Sequence, residues 1–242
     1  MSANSYPTVI VPGYLAGSQD YEPMRLHLEA LGYPACIVPL KARDWLPTVG
    51  GRSINPILAR LDQTIRATLS TFDTAQVNLV AHSAGGWISR IYLGSVPYYR
   101  QIWAGADRVS ALISLGTPHT SQERWTLKNL NFVNDNYPGS HCSGVNYICV
   151  AGRAIQGQRI SWQAWRQGQI RGSTWVAPWI AYESYKLTCG VGDSWGDGIT
   201  PIGAAHLAGA NNLTLEGVYH SPRQRWYGSP EVIRDWAHHL RS

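Results

Sequence analysis

Apolar positions along the chain alternate between short β-branched runs and stripes with helical spacing. Thr8 to Val11 is an apolar run ending at Pro12-Gly13, as a buried strand ends at a turn. From Asp20 to Leu31 the spacing turns helical, with Tyr21, Met24, Leu28 and Leu31 on one face and Gly32 as a stop. Ala35 to Leu40 reads as a second strand. Asn55 to Leu69 is the clearest helix: Ile57, Leu58, Leu61, Ile65 and Leu69 form one stripe, and Pro56 fits the first turn. Val77 to Val80 leads as a strand into a turn at Ser83, and a helix follows from Trp87 to Leu93. Val109 to Leu115, Tyr147 to Ala151 and Asn212 to Leu215 are further strands, and Pro230 to Leu240 is a closing helix. Strands alternating with helices predict an α/β fold: a mostly parallel sheet of about six strands, covered on both faces. Right-handed crossovers then gather the functional loops along one edge of the sheet.

Two stretches break the rhythm. Residues 120–145 are polar and Asn-rich, and residues 155–196 are long for a connection in a compact domain. Both are expected to be cap or lid insertions in a single domain spanning 1–242. The second carries Trp162, Trp165, Trp175, Trp179, Tyr182 and Tyr185 among basic residues. That mixture suits a cap in contact with lipid. It equally suits an inserted subdomain whose tryptophans pack on the core.

The turn at Ser83 is the most informative feature. Ala81-His82-Ser83-Ala84-Gly85 places small residues two positions before and after the serine, between a strand and a helix, as a nucleophile elbow requires. Such a turn holds the hydroxyl at a helix N-terminus, where peptide dipoles favour developing negative charge. A serine nucleophile needs a base and an acid to orient that base, in chain order Ser, Asp or Glu, His. Downstream, Asp197 in Gly196-Asp197-Gly198-Ile199-Thr200-Pro201 is the best-placed acid, with Asp193 in reserve. His220 follows the last strand and is the candidate base. His206 falls in an expected helix, and His238 and His239 lie in the closing helix. His119 follows a strand but precedes Asp197, so it and His82 are candidates for lining the substrate pocket, as are Trp162, Trp165, Trp175 and Trp179. For the oxyanion, the N–H of Ala84 and that of Tyr14 in the Pro12–Gly17 loop are the expected donors, with Leu15 next in line.

Composition narrows the partners. The chain has 242 residues, 44% of them hydrophobic, enough for one well-buried core. A formal net charge of +5 is compatible with peripheral contact at an anionic membrane surface, as it is with an ordinary solvated surface. Lys and Arg are dispersed, so a nucleic-acid partner is not expected. No apolar run reaches the roughly 18 residues of a membrane span, and the first residues lack the charged region of a signal peptide. Cys36, Cys142, Cys149 and Cys189 form no C-x-x-C pair, which fits reduced thiols in a cytoplasmic setting and argues against a zinc site.

Taken in order, these motifs resemble the lipase-like α/β hydrolases, with greatest similarity to their cyanobacterial and chloroplast branch. Val9-Ile10-Val11-Pro12-Gly13-Tyr14 resembles the oxyanion strand and loop, and Ala81 to Trp87 the elbow. Leu115-Gly116-Thr117-Pro118-His119 resembles a run common among lipases. Gly196 to Pro201 resembles the acid loop, and Tyr219-His220-Ser221-Pro222 the base loop. The resemblance spans Pro7 to Leu240. It implies the α/β-hydrolase fold, a Ser83–His220–Asp197 triad, and cleavage of carboxylic esters, with acyl-glycerolipids as substrates and no metal or organic cofactor. The same acyl-enzyme could serve an acyltransferase, and a silent binding module would have lost a triad member. Ala81 replaces the usual first glycine of the elbow, and Pro12 stands where many members have His. Because the first strand already carries the oxyanion loop, two leading strands of the larger fold are expected to be missing.

Overall fold

The structure, a computed structural model, describes residues 5–159, 166 and 175–240. Six strands form one sheet: β1 (Thr8–Val11), β2 (Ala35–Ile37), β3 (Val77–His82), β4 (Val109–Leu115), β5 (Asn146–Arg153) and, last in the chain, β8 (Asn211–Glu216). Their order is β2-β1-β3-β4-β5-β8, and every neighbouring pair is parallel. Period-two alternation divides each buried strand between two layers. Val9, Val11, Leu79, Ala81 and Leu112 face one core, whereas Ile10, Val80, Ile113 and Leu115 face the other.

The first layer is filled by α2 (Asn55–Phe72), α3 (Ala84–Leu93) and α4 (Arg124–Asn136), through residues such as Leu58, Leu61, Ile65, Trp87, Leu130 and Val133. The second is filled by α1 (Glu22–Ala30) and the closing helix, Pro230–Trp236, through Met24, Leu28, Val232, Ile233 and Trp236. Each such side chain, fully buried, contributes roughly 1.5–3 kcal/mol of transfer free energy. All ten residues of α3 are buried, so the helix behind Ser83 is locked into the core.

Several boundaries differ from the sequence expectation. β2 stops at Ile37: Val38 N–H still donates to Ile10 O, at 3.0 Å, but Pro39 has no N–H and the ladder ends. The first helix begins as a 3-10 turn, Ser18–Tyr21, and the closing helix gives way to another, Ala237–His239. His206 lies just beyond the four-residue helix α6 (Ile202–Ala205) rather than inside it, and its Nε2 meets Thr214 Oγ1 at 3.2 Å.

Residues 120–145 contain α4. Its Leu130 and Val133 belong to the main core, so this stretch packs as part of the body. Between 155 and 196, α5 (Val176–Cys189) lies between β6 (Ile155–Gln156) and β7 (Trp195–Gly196), which pair as a two-stranded antiparallel ribbon. Trp162 and Trp165 lie outside the described residues. All four cysteines are free thiols. No helix among the described residues is long and apolar enough to cross a membrane.

Candidate active site

Parallel strands with crossover helices bring all six strand ends to one edge, and the candidate residues collect there. Ser83 follows β3 directly and starts α3, with φ 53° and ψ −126°, a conformation a serine holds only under strain. The surroundings over-determine it. Ser83 N–H donates to Leu115 O at 2.9 Å, and Thr117 Oγ1 donates to Ser83 O at 2.8 Å. Gly85 is obligatory, because a Cβ there would stand 2.7 Å from Val11 O. Ala81 is tolerated where the commonest elbow has glycine: it is fully buried in β3, paired with Val11 on one side and Ser114 on the other.

His220 arrives on the loop after β8. Its Nε2 lies 3.0 Å from Ser83 Oγ and its Nδ1 lies 2.7 Å from Asp197 Oδ2. Asp197, after β7, has a fully buried side chain. A buried carboxylate needs its lone pairs met. Oδ1 accepts from Ile199 N–H at 2.9 Å and Thr200 N–H at 2.7 Å, while Oδ2 accepts from the Tyr227 hydroxyl at 2.7 Å as well as from His220. Tyr227 in turn accepts from Gly152 N–H at 2.8 Å, and burial together with the Asp197 charge holds its phenol well above the ordinary range. Tyr185, from α5, braces the next residue by accepting Gly198 N–H at 2.8 Å. Sequence reasoning missed Tyr227 and placed Tyr185 only among the cap aromatics, because both roles rest on contacts that no local motif announces. Asp193 is exposed and takes no part.

The Pro12–Gly17 loop, where an oxyanion donor is expected, folds against the turn at Ser83. A Cβ on Gly13 would lie 3.0 Å from Ser83 Cβ, a crowded contact that glycine avoids. Leu15 is left-handed, at φ 60°, an unusual conformation for a branched residue. Among the described residues no acceptor takes the N–H of Tyr14, Leu15 or Ala84. A cavity of about 260 Å³ opens beside Ser83, walled by Tyr14, Ala84, Trp87, Leu187, Ile199 and Thr200 among others. Two larger grooves, of about 650 and 500 Å³, flank β2 and touch none of Ser83, His220 and Asp197.

The other pocket candidates stand elsewhere. His82 is buried behind Ser83 and His220, its ring 4.6 Å from that of His220. His119 is buried with Arg90, Nδ1 lying 3.4 Å from Arg90 Nη1 and Nε2 lying 3.3 Å from Ser114 Oγ. Trp175 is half-buried and Trp179 is exposed, and neither lines the cavity. No group of three His, Cys, Asp or Glu converges as a metal would require, among the described residues.

Burial holds His82 well below its ordinary 6.5, with the nearby His220 adding to it, and does the same to His119 with help from Arg90. Both are neutral in the fold but take up protons in the unfolded chain once the pH falls below about 6.5. Stability is therefore present above that pH and lost as pH falls towards the folded-state values, at about 1.4 kcal/mol per pH unit for each histidine. Denaturant midpoints measured from pH 7 to pH 5 are expected to fall steadily. A flat series would contradict neutral burial.

No protein-family model and no curated protein sequence matches the chain. Solved structures do. All of this chain and 94% of mature Bacillus licheniformis lipase BlEst2 align, with a TM-score of 0.67 at 19% identity. The chain has the α/β-hydrolase fold. A metagenome-derived lipolytic enzyme matches with a TM-score of 0.55 at 11% identity, over 98% of this chain and 94% of the other. A Paleococcus ferrophilus monoacylglycerol lipase gives 0.52 at 11%, over 96% and 95%. In this fold the sheet edge that carries Ser83 is also the edge at which β4 and β8 deliver Thr117 and His220, and the separate β6–β7 ribbon brings Asp197 to it.

Proposed function

We propose that the chain is a serine carboxylic-ester hydrolase that works through a covalent acyl-enzyme. The observation that carries this reading is the unbroken contact from Ser83 Oγ to His220 Nε2 at 3.0 Å and from His220 Nδ1 to Asp197 Oδ2 at 2.7 Å. His220 Nε2 takes the hydroxyl proton as Oγ attacks the ester carbonyl. The N–H groups of Ala84 and Tyr14, with Leu15 as the alternative to Tyr14, hold the oxyanion. His220 then gives its proton to the departing alcohol, and later takes one from the water that releases the acid. Asp197 holds Nδ1 protonated throughout, so Nε2 is always the nitrogen free to act.

Acyl-glycerolipids are the proposed substrates. Leu187 and Ile199 line the cavity yet are 56% and 45% exposed; Leu15, next to the lining residue Tyr14, is exposed too, as are Ile180 on α5 and Val191 just after it. An apolar rim beside a reactive serine suits a substrate presented from a lipid surface. The structural neighbours carry lipase names, and the motif resemblance to the cyanobacterial and chloroplast branch points the same way. The test is an activity profile on defined glycerolipids with one or two acyl chains against water-soluble short esters. The rate is expected to jump once a substrate passes its solubility limit. Equal rates on monomeric and aggregated substrate would remove the lipid reading and leave the esterase.

A further inference from the structure

A buried hydrogen-bond chain runs behind Ser83 and takes no part in the proton transfers above. Gly13 N–H donates to Tyr21 Oη at 2.9 Å, and that hydroxyl lies 2.7 Å from His82 Nδ1. A phenol carries one hydrogen, and no other acceptor among the described residues is bonded to this one. Tyr21 therefore donates to His82 Nδ1, which leaves the His82 proton on Nε2. That nitrogen is buried and makes no hydrogen bond among the described residues. The chain thus has a fixed direction: loop to phenol to imidazole.

Its ends are the two halves of the oxyanion site. Gly13 opens the loop that carries Tyr14 and Leu15, while His82 is the residue before Ser83. A Cβ on Gly13 would be 3.0 Å from Ser83 Cβ, 3.2 Å from His82 Nδ1 and 3.3 Å from Tyr21 Oη, so all four residues meet at one point. Because Tyr21 occupies the Gly13 N–H, that group is withdrawn from the oxyanion. The N–H groups that follow it, Tyr14 and the left-handed Leu15, remain without an acceptor among the described residues. The Tyr21 ring is itself wedged, 2% exposed, with its centroid 5.8 Å from that of Trp226.

From this we infer that Tyr21 is a positioning residue: it clamps the oxyanion loop to the nucleophile turn through His82 and selects which N–H groups face the oxyanion. The inference rests on Ser83 being the nucleophile. Displacing an oxyanion donor by about 1 Å can cost on the order of 10²-fold in rate. In Tyr21→Phe, kcat per fluorophosphonate-titrated Ser83 is expected to fall about 10- to 100-fold, with KM within about threefold, because the donors act on the transition state. Affinity for a trifluoromethyl ketone, which forms the oxyanion adduct, is expected to fall by the same factor. A lower melting temperature or fewer titratable sites with kcat per site unchanged would assign Tyr21 to packing and overturn the inference. Should Tyr21→Phe not fold, ¹⁵N-histidine spectra of the unaltered protein decide: His82 is expected to be neutral with its proton on Nε2, and a proton on Nδ1 overturns the clamp. Ser83→Ala separates the two layers. Lost turnover there with normal Tyr21→Phe defeats the clamp alone, whereas retained turnover defeats both.

Discussion

Ser83→Ala is expected to lower kcat on a short p-nitrophenyl ester by on the order of 10⁵- to 10⁶-fold and to abolish labelling by a fluorophosphonate. The size follows from what remains. Without Oγ no acyl-enzyme forms, and His220 and Asp197 are left with no proton to move; only substrate binding and the backbone donors at Ala84 and the Gly13 loop still act. Ser83 is followed by a helix whose ten residues are all buried, so deletion of one hydroxyl leaves the scaffold in place. His220→Ala is expected to lose about as much, and the double variant no more than either alone, because the two side chains act as one unit across a single 3.0 Å contact. Full additivity, or turnover above about 1% of the starting enzyme in Ser83→Ala, would place the chemistry elsewhere.

The extent to which this site was legible in the sequence depended on whether a signal was local. The turn at Ser83 was legible because strained backbone demands small neighbours within two residues, and a Cβ at Gly85 would meet Val11 O as that demand requires. Asp197 and His220 were legible because parallel strands deliver their loops to one edge in a fixed chain order. The sheet was legible for the same reason: β-branched runs between helical stripes admit few other arrangements. What escaped was carried by long-range contacts. Tyr227 lies 30 residues from the carboxylate it serves, and Tyr21 lies 61 residues from His82. Neither sits in a spacing that marks it off from a core tyrosine. The pocket candidates show the converse error. His82 and His119 sit beside strand ends, where pocket residues often lie, but both side chains turn into the layers and are buried there. Composition placed the tryptophans of 155–196 on a cap without fixing what they face. Among the described residues of that region, the cavity wall comes from Ser184, Leu187 and Thr188 of α5.

Asp197→Asn tests the tautomer directly, and its expected loss is on the order of 10⁴-fold in kcat with little change in KM. The surroundings dictate which way the amide must sit. Ile199 and Thr200 present two N–H donors to the position of Oδ1, at 2.9 and 2.7 Å, so the amide oxygen takes that side. The NH₂ group then occupies the place of Oδ2 and points at His220 Nδ1. An imidazole facing a donor at Nδ1 must accept there, which puts its proton on Nε2, and a protonated Nε2 cannot take the hydroxyl proton of Ser83 at 3.0 Å. The Tyr227 hydroxyl loses its acceptor at the same stroke while still receiving Gly152 N–H at 2.8 Å. A buried, unmet hydroxyl adds about 1–3 kcal/mol of lost stability to the lost rate. Asp197→Asn is therefore expected to retain the fold and to melt earlier, with His220 in the wrong tautomer by ¹⁵N spectroscopy. A variant that kept turnover within tenfold would show that His220 needs no carboxylate to stay oriented. Asp193 could not have substituted for it, because it is exposed on the loop before β7.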